Sequence, residues 1–128
     1  MELEKFVSEM MSLGVYGRLC HWATSSAQHH TTFESFLTQN EQFTDSFVES
    51  ALGNDVDLKI DKISINVSLD GKYDLKVAKD MIKNYRKQIS EMQETIGKTN
   101  PNAEGELVGV LDDLVELCSK TLYLLKLQ

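Results

Sequence analysis

Five side chains in this sequence are of types that bind metal ions, at a spacing that could gather them. His21, followed by Trp22, lies nine positions before His30; Glu34 follows His30 at +4, Asp45 comes eleven later, and Glu49 at +4 again. On helices, steps of four and of eleven keep residues on neighbouring parts of one face. Imidazole nitrogens and carboxylate oxygens together suit iron, manganese or zinc, and Fe(II) so bound keeps positions open for oxygen. All the histidine of the chain falls in one ten-residue stretch, 21–30. His29, beside His30, points to another side of a helix and is expected outside any such site.

Taken singly, these residues have ordinary readings. Asp45 and Glu49, one turn apart, would form a solvated helix face. Glu34 would be a surface acid near the start of its helix, and Trp22 a core or interface anchor. Only the set as a whole argues for a metal.

The composition narrows the classes of function. A chain of 128 residues makes one domain, 1–128, with room for a real core. Its formal charge of −7 argues against a nucleic-acid partner, because gripping phosphates needs a basic surface. The start, Met1-Glu-Leu-Glu-Lys5, is charged at once and lacks the apolar run of a signal peptide. No apolar run is long enough to span a membrane, so a cytoplasmic protein with no membrane partner is expected. Cys20 and Cys118 each fall on an apolar stripe and read as small buried side chains of a reduced protein.

Four stretches carry helical periodicity. The first has Leu3, Phe6, Met10, Leu13, Gly17 and Cys20, widened by Val7 and Gly14. The second has Phe33, Phe36, Leu37, Phe43, Phe47, Val48 and Ala51 and stops at Gly53. The third runs Leu75, Ala78, Ile82, Tyr85, Ile89, Met92, Ile96 to Gly97. The fourth opens at Asn100-Pro101, a capping residue before proline, and continues through Leu107, Leu111, Leu114, Cys118, Leu122 and Leu125.

Narrow stripes with polar opposite faces predict an all-α bundle of four helices. The short links 23–26 and 97–100 predict antiparallel neighbours. Between the second and third helices lie about twenty residues, enough to cross the bundle lengthwise, which is the connection of ferritin-like bundles. Within that crossover, 55–69, Val56, Leu58 and Ile60 alternate with polar residues, as do Ile63, Ile65, Val67 and Leu69. Period two with β-branched residues predicts a partly extended segment, with short strands pairing as a hairpin or across a subunit interface. A strap that merely covers an open edge of the bundle is the equal alternative. Asp70-Gly71 then turns the chain into the third helix.

The di-iron sites of such bundles take Glu-x-x-His motifs from their helices. Here the third and fourth helices contain no histidine. A site buried in one bundle is therefore short of ligands. The set makes better sense on the outside of the first two helices, completed by a second copy of the chain.

His21-Trp22, His30, Glu34, Asp45 and Glu49 resemble the ferroxidase signature of Dps, the starved-cell DNA-binding mini-ferritin. The spacings from His30 to Glu49 match; the gap from His21 to His30 is shorter here. Over its whole length the chain resembles still more a small family of Dps-like proteins from large tailed phages. Those share the shortened His-Trp loop and a Tyr-Leu-Leu-x-Leu tail, here Tyr123 to Leu127. The resemblance implies a ferritin-like fold and a homo-oligomer of at least a two-fold dimer. It implies iron, bound by His21, His30 and Glu34 of one subunit with Asp45 and Glu49 of its partner. Three departures bound these expectations. There is no basic tail, so DNA condensation is not implied. The extended crossover stands where Dps has a short helix, so a closed multisubunit shell is not implied. The short first gap leaves open whether His21 still reaches His30.

Two classes of function follow. One is a Dps-like metal-binding protein with ferroxidase activity at an intersubunit site, in a cytoplasm (the host's, if phage-encoded). The other is a phage structural or host-interaction module that keeps the fold without redox chemistry, in a virion or bound to a host protein.

Overall fold

The computed structural model describes residues 1–127. The helices are α1 (Leu3–Ala23), α2 (Ala27–Gly53), α3 (Leu75–Thr99) and α4 (Glu104–Lys126), with a single 3-10 turn at Ile60–Lys62. Each helix buries the stripe that its periodicity marks. Phe6, Met10, Leu13 and Cys20 of α1 meet Phe33, Phe36 and Phe47 of α2, Ile82, Tyr85 and Ile89 of α3, and Leu107, Leu111 and Leu114 of α4 in one core. Fully burying a side chain of this size stabilises the fold by about 1.5–3 kcal/mol. That gain offsets the cost of ordering the chain.

Local signals set the helix ends. Thr24 is extended (φ −68°, ψ 142°), which stops α1, and the Ser26 hydroxyl accepts from the His29 amide to cap α2. Asp74 caps α3, its carboxylate accepting from the amides of Lys76 and Val77. Asp70 and Gly71 both have positive φ (52° and 108°), the left-handed turn that delivers the chain to α3. At the other link the sequence expectation shifts by a turn. Gly97 does not end α3, which runs on to Thr99 and closes with the Asn100 amide on the Ile96 carbonyl. Pro101 sits in a turn, and α4 starts at Glu104. The turn is held by the Ala103 amide donating to the Asn100 carbonyl, so the helix begins only after it closes.

α1 packs on α2, α2 on α4 and α3 on α4, while α1 meets α3 along a shorter line. Gly17 permits the close approach of α1 to α2: a Cβ there would stand 3.2 Å from the Phe36 ring. A polar bridge ties three helices inside the core. The buried Asn40 amide donates to the Met10 carbonyl at 2.8 Å, and its oxygen accepts from the Tyr85 hydroxyl at 2.7 Å.

Residues 54–74, between α2 and α3, form a strap. The Lys59 amide donates to a Glu4 carboxylate oxygen at 2.8 Å, near the start of α1. At the other end the Tyr73 ring meets Phe33 edge-on, 5.9 Å between centroids, near the start of α2. The predicted strands are absent: no residue among those described is in a strand. The alternation does a different job, and the physical reason is the lack of a partner for backbone pairing. Val56 and Leu58 are buried and Ile63, Val67 and Leu69 half-buried against the bundle, so period two presents one apolar edge to helices rather than to a sheet. No helix among the described residues is long and apolar enough to cross a membrane.

Candidate functional site

The three-residue link between α1 and α2 brings His21, in the last turn of α1, against His30, in the second turn of α2. Their rings stack with centroids 3.7 Å apart and planes 23° from parallel. His21 Nδ1 donates to the His30 carbonyl at 2.8 Å, and His30 Nδ1 donates to the His21 carbonyl at 2.7 Å. The shorter first gap therefore does not separate the two imidazoles.

This exchange has a simple origin. The last carbonyls of a helix have no partner within it, and His21 lies among them. The His30 side chain supplies the missing donor. The His30 carbonyl lies inside α2 but has a second lone pair, which the His21 ring uses. A carbonyl only accepts, so each Nδ1 carries the proton, and in the neutral ring Nε2 is left as a bare acceptor. A backbone carbonyl fixing one ring nitrogen is also how metal-binding histidines are commonly oriented.

His29 takes no part in this pair. It is buried, and its Nε2 donates to the Leu127 carbonyl at 2.9 Å, pinning the start of α2 to the end of α4. Trp22, expected as a core or interface anchor, is not in the core: it is 67% exposed, with the Arg18 guanidinium 5.9 Å from its ring. It follows His21 by about 100° around the helix, which turns it outward.

The carboxylates stay apart from the histidines within one chain. Glu34, Asp45 and Glu49 are all exposed on α2. At about 1.5 Å per residue, Glu34 lies about 6 Å along the helix from His30, Asp45 about 22 Å and Glu49 about 28 Å. Metal–ligand bonds of about 2.0–2.3 Å cannot span that. Accordingly, no three metal-binding side chains converge among the described residues. The single chain holds two half-sets: an imidazole pair with one acid at one end of α2, and two acids toward the other.

Two features were not read from the sequence. One is the imidazole exchange, which depends on the angle at the α1–α2 corner. The other is an open groove of about 650 Å³ between α1, α2 and the strap. Met11 and Val15 of α1, Ile60 and Ile65 of the strap, and Leu37 and Val48 of α2 give it apolar walls. Arg18, Glu41 and Asp45 line it as well. A signal for it existed: Met11, Val15, Arg18 and Trp22 follow steps of 4, 3 and 4, a second stripe on α1 beside the core stripe.

The cysteines do not belong to the site. Both are buried thiols. Burial pushes Cys20 up to about 11, against a lowering hydrogen bond with Tyr16, and pushes Cys118 up to about 12. Neither is a thiolate near neutral pH, so neither is a ready nucleophile or metal ligand.

No curated protein and no solved structure matched the chain. Residues 21–125, which include the whole of the imidazole pair and the acidic ladder of α2, match a family of unknown function, DUF5856. The chain belongs to that family.

Proposed function

We propose that this protein binds a divalent metal ion between two copies of itself and oxidises Fe(II) there, as a Dps-like protein on a ferritin-like bundle. The single observation that carries this reading is the His21–His30 exchange. Both rings have one nitrogen held by a backbone carbonyl and the other left as an acceptor, one helical turn from Glu34. Two nitrogens with carboxylate oxygens are a donor set that suits Fe(II). The fit is partial within one chain, because Asp45 and Glu49 lie too far along α2; a partner's α2 running the other way supplies them. The strap supports the ferritin-like assignment: its ends touch Glu4 and Phe33, at opposite ends of the α1–α2 pair, so α2 and α3 run in the same direction.

In this reading Fe(II) is the substrate, and it gives up one electron to oxygen or peroxide while bound. The chain's own residues do the rest. His21 and His30 offer Nε2 from a corner that their hydrogen bonds hold rigid. Glu34, with the partner's Asp45 and Glu49, balances the charge of the ferric product.

The test is metal content and Fe(II) oxidation of the untagged protein beside His21→Ala/His30→Ala. One or two ions per chain, lost in the variant with the helices intact, supports the reading. An inert protein that binds no metal sinks it.

One observation favours the second reading, an interaction module without redox activity in a virion or on a host protein. Trp22 and the groove leave apolar surface unpaired on the single chain. That reading expects assembly and stability to be indifferent to metal.

A further inference from the structure

We infer that the groove between α1, α2 and the strap binds a single-chain anionic amphiphile, a free fatty acid. The acyl chain lies along the apolar walls and the carboxylate rests on Arg18. This inference goes beyond the metal reading and does not depend on it.

The groove has the size and walls of a small-ligand site. It holds about 650 Å³, and such sites commonly hold about 300–1,000 Å³. Three elements supply its sides: Met11 and Val15 from α1, Leu37 and Val48 from α2, Ile60 and Ile65 from the strap. Met11, Val15, Ile60 and Ile65 are exposed on the single chain, so an apolar occupant takes their surface out of water.

The deeper polar groups of the groove are already spent within the protein. The Asn40 amide donates to the Met10 carbonyl, and its oxygen accepts from the Tyr85 hydroxyl. The Thr44 hydroxyl donates to the Asn40 carbonyl at 2.7 Å. A sugar or nucleotide buried there would lose its water and find few partners, whereas a hydrocarbon chain needs none. The floor therefore selects an apolar body.

Register and charge place the head. A Cβ on Gly14 would stand 3.3 Å from the Asn40 side chain, and one on Gly17 3.4 Å from that of Leu37, so α1 and α2 run antiparallel along the groove. Arg18 and Leu37 mark one end of it, and Val7 and Val48 the other. Those ends lie about 16 Å apart along α1. Ile60 joins the apolar end, because the Lys59 amide is held by Glu4 near the start of α1. The result is a head-and-tail site with the length of laurate or myristate. Arg18 forms no ion pair among the described residues, and the Trp22 ring lies 5.9 Å from its guanidinium. A guanidinium takes a carboxylate through two parallel hydrogen bonds. Glu41 and Asp45, exposed on α2 between the ends, repel an anionic head placed midway.

Isothermal titration calorimetry of the full chain with laurate, in EDTA and below the micelle threshold, tests this. Saturable binding of one laurate per chain is expected. Affinity should rise about fourfold per methylene from octanoate to myristate. It should level off at palmitate, which outruns the groove. Trp22, the only tryptophan, should change its emission as the guanidinium beside it engages the carboxylate. Arg18→Ala should weaken laurate at least about tenfold, the loss of a charge-assisted hydrogen bond, and leave dodecanol unchanged. Val15→Asp should remove both ligands with helical circular dichroism intact. The proposal is overturned by an absence of saturable binding, by dodecylamine binding as tightly as laurate, or by a loss in Arg18→Ala that dodecanol shares. None of these outcomes touches the metal reading, which stands or falls on metal uptake measured separately.

Discussion

His21 and His30 cap each other's backbone. Each Nδ1 donates to the other residue's carbonyl, at 2.8 and 2.7 Å, over rings stacked at 3.7 Å. The pair thus clamps the α1–α2 corner whether or not a metal ever reaches it. Removing one ring leaves the other's hydrogen bond in place and frees a single carbonyl at the helix junction.

His30→Ala should therefore lower unfolding stability by about 1–2 kcal/mol, the range for a hydrogen bond lost at a part-buried acceptor together with its stacking. His21→Ala should cost a similar amount. In a double-mutant cycle the two should be coupled by at least about 0.5 kcal/mol, since the stacking contact is shared and is lost in either variant. Denaturant unfolding followed by circular dichroism measures all three. Strict additivity would mean the two rings do not support each other.

Asn40 is the most exacting polar residue of the core. Asn40→Ala leaves the Tyr85 hydroxyl and the Met10 carbonyl without this partner in a dry interior, at about 1–3 kcal/mol for each unsatisfied group. Tyr85→Phe should cost less, about 1 kcal/mol, because it removes only one donor. Chemical denaturation of the two variants checks the order; a reversed order would place the network's weight on the tyrosine instead.

His29→Ala should act locally. It removes the donor to the Leu127 carbonyl and should fray the last turn of α4, seen as faster amide hydrogen exchange there. Global stability should fall by about 1 kcal/mol. Metal uptake should be unchanged, which separates His29 from its neighbour His30.

The thiol of Cys118 predicts alkaline weakening. Burial raises its value from 9.0 to about 12, so the folded protein keeps a proton that the unfolded chain loses above pH 9. The stability due to the neutral thiol is fully present below pH 9. It declines as pH rises from 9 toward 12, by up to about 1.4 kcal/mol per pH unit. Unfolding midpoints measured between pH 8 and 11 should show this decline. Cys118→Ala should lessen the slope, and a thiol reagent should label the native protein slowly at pH 8.

Much of the architecture was legible in the chain because its signals are local. Apolar residues at three- and four-residue steps marked all four buried stripes, and Gly53 marked the end of the second helix, since a helix stop acts within one turn. The lengths of the links, three residues against about twenty, likewise limited which helices could be neighbours. The residue types of the candidate site were readable for the same reason: steps along one helix have a defined geometry. Tertiary structure decided the rest. Strand or strap for residues 54–74 depended on whether another strand lay alongside, and none among the described residues does. The stacking of His21 on His30 depended on the angle between two helices, which core packing at Gly17 and Phe36 sets and no local spacing encodes. The separation of Asp45 and Glu49 from those rings followed from α2 being one straight run, Ala27–Gly53, whose rise carries the acids away from the corner.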